Sequence, residues 1–183
     1  MTDIQSIKAF AADIDGIFTN GQVLALPDGD LLRQFDSKDV FAVRTATDNG
    51  YPFGIITGGY SKSLYYRCTS MGIPDEDIHQ MSKNKLPVFL QFCESHGLKP
   101  SEVVYFGDDI PDLETVKAAG IGVVPHDAVE QLRKAADFVS PYNGGHLCLR
   151  HFIEMILTTQ ERWIFRPDKP WKGFPPDPIK GSI

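Results

Sequence analysis

The sequence has few cysteines, and this excludes two ways of building a fold. Its 183 residues contain only Cys68, Cys93 and Cys148, and none of them belongs to a C-x-x-C pair or another metal-ligand spacing. A disulfide framework or a structural zinc site is therefore not the basis of this protein. We interpret the three residues as small buried thiols in a reducing compartment.

Long apolar runs and an excess of basic charge are missing as well. No window reaches the roughly 18 apolar residues that a membrane-spanning helix needs, and residues 1–8 lack the basic and apolar regions of a signal peptide. A formal net charge of −6 argues against a nucleic-acid surface. We expect a cytoplasmic protein whose partners include neither a membrane nor a nucleic acid.

Most of the chain alternates apolar strand-like segments with helical ones. Such alternation predicts an α/β fold with a Rossmann-like, doubly wound parallel sheet. The strands are expected at residues 7–13, 52–56, 103–106, 121–124 and 138–139, and the helices at residues 37–49, 61–71, 86–96, 111–119, 128–135 and 144–157. Ser37 is the expected cap of the first helix. Asp28-Gly29 predicts a β-hairpin inserted after the first strand, over about residues 17–36.

The last 25 residues differ in composition from the rest. Residues 159–183 contain five of the 13 prolines and both tryptophans, so they cannot continue as a helix. Aromatic side chains are costly to leave in a disordered tail. We therefore divide the chain into a domain of residues 1–158 and an arm of residues 159–183 that lies on its own or a neighbouring subunit.

Two acidic clusters directly follow predicted strands. Asp13 and Asp15 end the first strand, and Asp108, Asp109 and Asp112 follow the strand over residues 103–106. The carboxyl ends of parallel strands meet at one edge of the sheet, where ligands bind. Carboxylates gathered there repel one another unless a cation lies between them, and Mg²⁺ is the hard cation expected with oxygen ligands. Capping of the following helix by Asp109, with Asp112 in its first turn, also explains part of the second cluster.

The first cluster has the groups for phosphoryl transfer. A carboxylate such as Asp13 can attack phosphorus and form an aspartyl-phosphate. Asp15, two residues further on, can protonate the leaving oxygen and then deprotonate the attacking water. Alone, Asp-x-Asp-Gly is more often a polar turn after a strand.

Two further segments could bind the phosphate. Thr57 offers a hydroxyl, and Gly58 and Gly59 allow backbone N–H groups to approach an anion at a helix start. Lys85 lies near a helix start, where the dipole does not favour a cation, which suggests a task at the phosphate. Lys83 is an alternative to Lys85 for that task.

In this order the four segments resemble the motifs of haloacid dehalogenase superfamily phosphatases. The resemblance covers residues 7 to about 157 and is carried by Asp13-Ile14-Asp15-Gly16, Thr57-Gly58-Gly59, Lys85 and Gly107-Asp108-Asp109. It implies that Asp13 is the nucleophile, Asp15 the acid and base, and Thr57 and Lys85 phosphate ligands. It also implies Mg²⁺ on Asp13, the Asp15 carbonyl and Asp108, with Asp109 and Asp112 just outside that ligand set.

The short gaps between the motifs leave no room for a cap domain. Asp15-Gly16-Ile17-Phe18-Thr19-Asn20-Gly21 and Gly144-Gly145-His146-Leu147-Cys148-Leu149-Arg150 resemble the superfamily's cap-free sugar-acid phosphatases. This implies hydrolysis of 3-deoxy-D-manno-octulosonate 8-phosphate, a step of lipopolysaccharide sugar synthesis. It further implies a homotetramer with active sites at subunit interfaces, in which Arg67 reaches the sugar acid bound to an adjacent subunit.

Two alternatives stay open at this point. A phosphatase for 2-keto-3-deoxynononate 9-phosphate is the nearest, although many such relatives carry glutamate after Thr-Gly, where this chain has Gly59. A receiver-like phosphate-binding module also gathers acids, a threonine and a lysine around Mg²⁺. In receivers the lysine comes last, whereas Lys85 here precedes the second acidic cluster.

Overall fold

A computed structural model describes residues 3–165 of the chain. The strands are β1 (Ala9–Ala12), β2 (Leu24–Ala25), β3 (Leu31–Leu32), β4 (Phe53–Ile56), β5 (Ile78–His79), β6 (Val103–Phe106), β7 (Ile121–Val124) and β8 (Phe138–Val139). The helices are α1 (Ser37–Asp48), α2 (Lys62–Ser70), α3 (Lys85–Ser95), α4 (Leu113–Ala118), α5 (Glu130–Ala135) and α6 (Cys148–Thr159). Within the described residues, no helix is both long and apolar enough to cross a bilayer.

Six strands form one parallel sheet in the order β5-β4-β1-β6-β7-β8. All four residues of β1 are fully buried between β4 and β6, as expected for a central strand covered on both faces. Helices α1 and α6 cover one face, and α3, α4 and α5 cover the other. The predicted Rossmann-like fold is confirmed. The chain switches direction across the sheet at β1, which opens a crevice at the carboxyl ends of β1 and β6.

The predicted hairpin is present but shorter than expected. Strands β2 and β3 pair antiparallel over only two residues each, with Leu24 opposite Leu32. Gly29 adopts φ +87 in the turn between them, a conformation that favours glycine. The hairpin is the only structure between β1 and α1 besides turns, so no cap domain lies in that part of the described chain.

Three sequence predictions about local structure were wrong. The cap of α1 is Asp36 and not Ser37, because the Asp36 carboxylate accepts the N–H of Lys38 at 2.7 Å. The two-residue edge strand β5 was missed, since so short a segment has no recognisable alternation. The last helix begins at Cys148 rather than at residue 144.

The glycines before α6 form a loop that packs against the turn after β1. Gly145 adopts φ +65, and its N–H donates to the carbonyl of Ile17 at 2.9 Å. A Cβ at Gly144 would lie only 1.8 Å from the carbonyl oxygen of Gly16. The Asp39 carboxylate of α1 then accepts the N–H groups of Leu147 and Arg150, at 3.0 and 2.7 Å. The start of α6 therefore supports the loop that carries Asp13 and Asp15.

The beginning of the predicted C-terminal arm packs on the domain. Trp163 is buried against Phe41, with ring centroids 6.2 Å apart, and the Arg150 guanidinium lies 4.6 Å from the Trp163 ring. Residues 166–183 lie outside the described residues. The arm as a whole stays a prediction.

Candidate active site

Three carboxylates converge in the crevice between β1 and β6. Asp13 and Asp108 follow these neighbouring strands, and Asp112 ends the short 3₁₀ turn over Ile110–Asp112. One oxygen from each lies within 4.8 Å of the others. Three buried or half-buried anions at this separation make a site suited to a hard cation.

Lys85 neutralises part of this charge. As the first residue of α3 it is buried, and its ammonium donates to Asp13 Oδ2 at 2.5 Å and to Asp112 Oδ1 at 2.7 Å. The buried Tyr105 hydroxyl also donates to Asp112 Oδ1, at 2.6 Å. Lys83 lines the same cleft, but Lys85 is the lysine whose ammonium contacts Asp13.

The titration of the cluster reflects this crowding. Burial, together with the charge of Asp112, raises the pKa of Asp13 to about 6 even though Lys85 opposes the shift. Burial and the charges of Asp112 and Asp13 raise the pKa of Asp108 to about 8. Burial opposes the charged form of Lys85, yet Asp112 and Asp13 outweigh it and the pKa of Lys85 is raised. Burial and the neighbouring acids thus outweigh the opposing effect of Lys85 on the pKa values of Asp13 and Asp108.

Two glycines let the acids approach this closely. Gly16 has φ +83, and a Cβ there would lie 2.0 Å from Asp108 Oδ2. A Cβ at Gly107 would lie 2.4 Å from Asp112 Cβ. Neither position has room for a side chain beside the carboxylate that packs on it.

The cleft above the cluster has a volume of about 430 Å³ and contains nine of the ten predicted site residues. These are Asp13, Asp15, Thr57, Gly58, Gly59, Lys85, Asp108, Asp109 and Asp112, joined by Gly21, Ser82, Lys83 and Pro111. Asp109 is exposed and its carboxylate accepts the N–H of Ile110, as expected for a cap. The exception is Arg67 on α2, which lines a separate depression and lies 5.8 Å from the Phe35 ring.

The predicted phosphate loop joins β4 to α2 at the rim of the cleft. Thr57 is buried, and its hydroxyl accepts the N–H of Gly59 at 3.5 Å. Ser61 caps α2 by accepting the N–H of Leu64 at 3.4 Å. Thr57, Gly58 and Gly59 therefore stand directly before a helix N-terminus, a favourable place for an anion.

Sequence reasoning missed one residue that contacts the predicted acid and base. Arg33, just past β3, donates Nε to Asp15 Oδ1 at 2.7 Å and Nη2 to Asp15 Oδ2 at 2.9 Å. The hydrogen bonds with Asp15 raise the pKa of Arg33. The available signal was a single basic residue close to Leu31, Leu32 and Phe35, in a hairpin that the sequence predicts beside the acidic turn.

Known proteins with similar sequences are hydrolases, in agreement with the acidic site described above. A family model described as haloacid dehalogenase-like hydrolase matches residues 40–120. The 3-deoxy-D-manno-octulosonate 8-phosphate phosphatase KdsC of Salmonella typhi is 30% identical over 160 residues, covering 87% of this chain and 84% of that protein. This chain belongs to the haloacid dehalogenase-like hydrolases. The family resemblance inferred from the four motifs is confirmed.

Solved structures of such hydrolases share the whole fold. One is the 3-deoxy-D-manno-octulosonate 8-phosphate phosphatase of Moraxella catarrhalis, which was crystallised with a magnesium ion, a phosphate ion and the sugar acid. It has a TM-score of 0.82 and 32% identity, and the match covers 86% of this chain and 90% of that one. The enzyme from Yersinia pestis has a TM-score of 0.83 and 26% identity, covering 87% and 85%. A cobalt-bound relative from Haemophilus influenzae has a TM-score of 0.82 and 25% identity, covering 86% and 91%.

Proposed function

We propose that this chain is a Mg²⁺-dependent phosphatase that hydrolyses 3-deoxy-D-manno-octulosonate 8-phosphate to the free sugar acid and phosphate. The observation that carries the proposal is the convergence of Asp13, Asp108 and Asp112 in a cleft bordered by a phosphate loop, with the Lys85 ammonium paired to Asp13 and Asp112. The choice of substrate rests on the relatives named above, which are phosphatases of that ester.

The acidic cluster suits Mg²⁺ as its cofactor. Asp13, Asp108 and the Asp15 carbonyl would hold the ion, with Asp112 beside them. Burial and the mutual repulsion of the acids raise the pKa values of Asp13 and Asp108, and a cation shared by these carboxylates would relieve that repulsion. When bound, the ion withdraws charge from the phosphoryl oxygens and lowers the barrier to attack by an anion.

The chain's own residues then divide the reaction into two steps. Asp13 attacks phosphorus, and the bond from phosphorus to the sugar oxygen breaks while Asp15 donates a proton to that oxygen. Asp15 next accepts a proton from a water that attacks the aspartyl-phosphate, which releases phosphate and restores Asp13. Lys85 holds the Asp13 carboxylate in place and faces the incoming phosphoryl oxygens.

The phosphate loop binds the transferred group. The Thr57 hydroxyl and the backbone N–H groups of Gly58 and Gly59 are hydrogen-bond donors at the start of α2, where an anion is stabilised. These donors reach the phosphoryl group from the β4 side of the cleft, whereas Lys85, which is paired with Asp13 and Asp112, reaches it from the acidic cluster.

We further propose a cytoplasmic homotetramer that serves lipopolysaccharide sugar synthesis. The hairpin exposes Leu24 by 63% and also Val23 and Leu32, an apolar surface suited to packing against other copies. Arg67 lies outside the lining of its own cleft, which is consistent with a role at the substrate of an adjacent subunit. The buried free thiols agree with a reducing compartment. Neither the nine-carbon phosphatase nor the receiver-like module is favoured by the relatives.

Phosphate release from purified protein tests the proposal. With Mg²⁺, we expect turnover of the eight-carbon substrate with a kcat/KM at least about tenfold above that for the nine-carbon one. Asp13→Asn should abolish turnover, whereas Asp28→Asn, in the exposed hairpin turn, should leave it unchanged. Removal of Mg²⁺ with EDTA should abolish it reversibly. Full turnover by Asp13→Asn, or a preference for the nine-carbon ester, would refute the assignment.

A further inference from the structure

Arg33 is held more rigidly than an ordinary surface arginine. Its side chain is only 3% exposed, while that of Asp15, which lines the cleft, is 30% exposed. Two of its nitrogens bind the two carboxylate oxygens of Asp15, and Nη1 donates to the carbonyl of Leu31 at 2.9 Å. Such a fork fixes both the position and the plane of a carboxylate.

The segment that carries Arg33 is itself tied to the phosphate loop. The Asp30 carboxylate, at the start of β3, accepts the Ser61 hydroxyl at 2.7 Å and the N–H of Leu31 at 2.9 Å. Ser61 caps α2, directly after the phosphate loop. The Asp30–Ser61 hydrogen bond therefore ties the segment of Arg33 to the start of α2, two residues past the phosphate loop.

Gly59 leaves the space that Arg33 occupies. A Cβ at Gly59 would lie 2.8 Å from Arg33 Nη2 and 3.9 Å from Asp15 Oδ2. The φ angle of Gly59 lies outside the left-handed region, so the backbone there would accept other residues. The absence of a side chain at this position is explained by the guanidinium that lies against it.

We propose that Arg33 is the positioning residue for Asp15, and that Gly59, which has no side chain, leaves room for the Arg33 guanidinium. This inference rests on the proposed function, in which Asp15 transfers the proton in both steps. Arg33 donates one hydrogen bond to each carboxylate oxygen of Asp15, and each oxygen keeps a second lone pair that can exchange a proton at the cleft. Its loss would let the carboxylate rotate away from the leaving oxygen, which affects turnover more than substrate binding.

The first experiment compares Arg33 with a matched buried arginine. Arg44 is buried on α1, pairs with Asp48 at 3.1 Å, and donates to the carbonyl of Ser70, but it does not line the cleft. We expect Arg33→Met to lower kcat at least about tenfold with KM within about threefold, because a positioned acid–base group contributes 10²–10⁴ in rate. Arg33→Lys keeps the charge but loses the fork, so it should recover only a small part of this loss. Arg44→Met should lose thermal stability but keep kcat within about twofold below its melting temperature.

The second experiment combines the two positions. Gly59→Ala should lower kcat when Arg33 is present, because the new methyl group displaces the guanidinium. In an Arg33→Met background the same substitution should lower kcat by a clearly smaller factor than it does in the wild type, since the methionine end can move aside. Thermal unfolding of the same four proteins should show the same dependence of one position on the other.

The outcomes separate this inference from the proposed function. A wild-type protein that releases no phosphate refutes the proposed function, and the unfolding cycle then still decides whether positions 33 and 59 depend on each other. Normal wild-type turnover with an equally active Arg33→Met overturns the inference alone. Equal effects of Gly59→Ala in both backgrounds overturn it as well.

Discussion

Replacing Gly16 by alanine tests whether the two acidic clusters share one site. Gly16 has φ +83, and a Cβ there would lie 2.0, 2.3 and 2.8 Å from three atoms of the Asp108 carboxyl group. The new methyl group cannot fit unless the Asp108 side chain rotates away. The substitution therefore moves a proposed metal ligand without altering any charged group.

The expected loss has a backbone part and a packing part. Alanine in the left-handed region costs about 1–2 kcal/mol, and the smaller entropy of the unfolded alanine chain returns about 0.4–1 kcal/mol of that. Overpacking a close contact costs about 1–3 kcal/mol more. We expect Gly16→Ala to lower the free energy of unfolding by about 2–4 kcal/mol. We also expect Mg²⁺ binding to weaken at least about tenfold, or about 1.4 kcal/mol.

Gly50 provides the matched control. It also has a positive φ, +80, but a Cβ there would meet no atom within 4 Å. Gly50→Ala should therefore lose only the backbone part, about 1 kcal/mol, and keep wild-type Mg²⁺ affinity. Urea unfolding with EDTA and with Mg²⁺ gives the stabilities, and calorimetric titration gives the affinity. Equal losses of stability and unchanged Mg²⁺ affinity in both variants would refute the shared site.

Three further predictions concern the charge of the site and its support. The pKa of Asp108 is raised from 3.8 to about 8, so between these pH values the folded metal-free protein binds a proton that the unfolded chain does not. The free energy of unfolding, measured by urea titration with EDTA, should therefore fall as pH rises from about 4 to about 8. Mg²⁺ should remove this dependence. Lys85→Met leaves Asp13 and Asp112 facing each other without the ammonium. In the same assay it should destabilise the metal-free protein by about 3–5 kcal/mol, and Mg²⁺ should restore part of the lost stability. An unchanged urea midpoint would contradict this prediction. Asp39→Ala removes two acceptors at the start of α6 and should cost about 1–3 kcal/mol, measured by thermal unfolding; Asp28→Ala, in the exposed turn, should cost little.

The acidic cluster could be predicted because its geometry follows from strand ends alone. Asp13 lies one residue past β1, and Asp108 lies two residues past β6. Since these strands are parallel neighbours, no long-range packing detail is needed to bring the side chains together. The same argument placed Thr57 correctly at the cleft, one residue past β4.

The remaining contacts depend on distances that no local pattern reveals. Arg33 meets Asp15 only because the hairpin folds back over the cleft, and its length is set by turn geometry that periodicity does not report. Asp112 was expected just outside the metal ligands, in the first turn of a helix, and nothing in the sequence indicated that its carboxylate is buried between Lys85 and Tyr105. Both depend on how separate elements pack.

The loop of Gly144 and Gly145 beneath the turn after β1 affects the order in which the protein can mature. Asp13, the proposed nucleophile, is translated about 130 residues before the backbone on which its loop rests. A nascent chain on the ribosome therefore cannot complete its catalytic centre until nearly the whole domain has emerged. Contacts of such wide sequence separation also slow folding, because the loop they close must be ordered first.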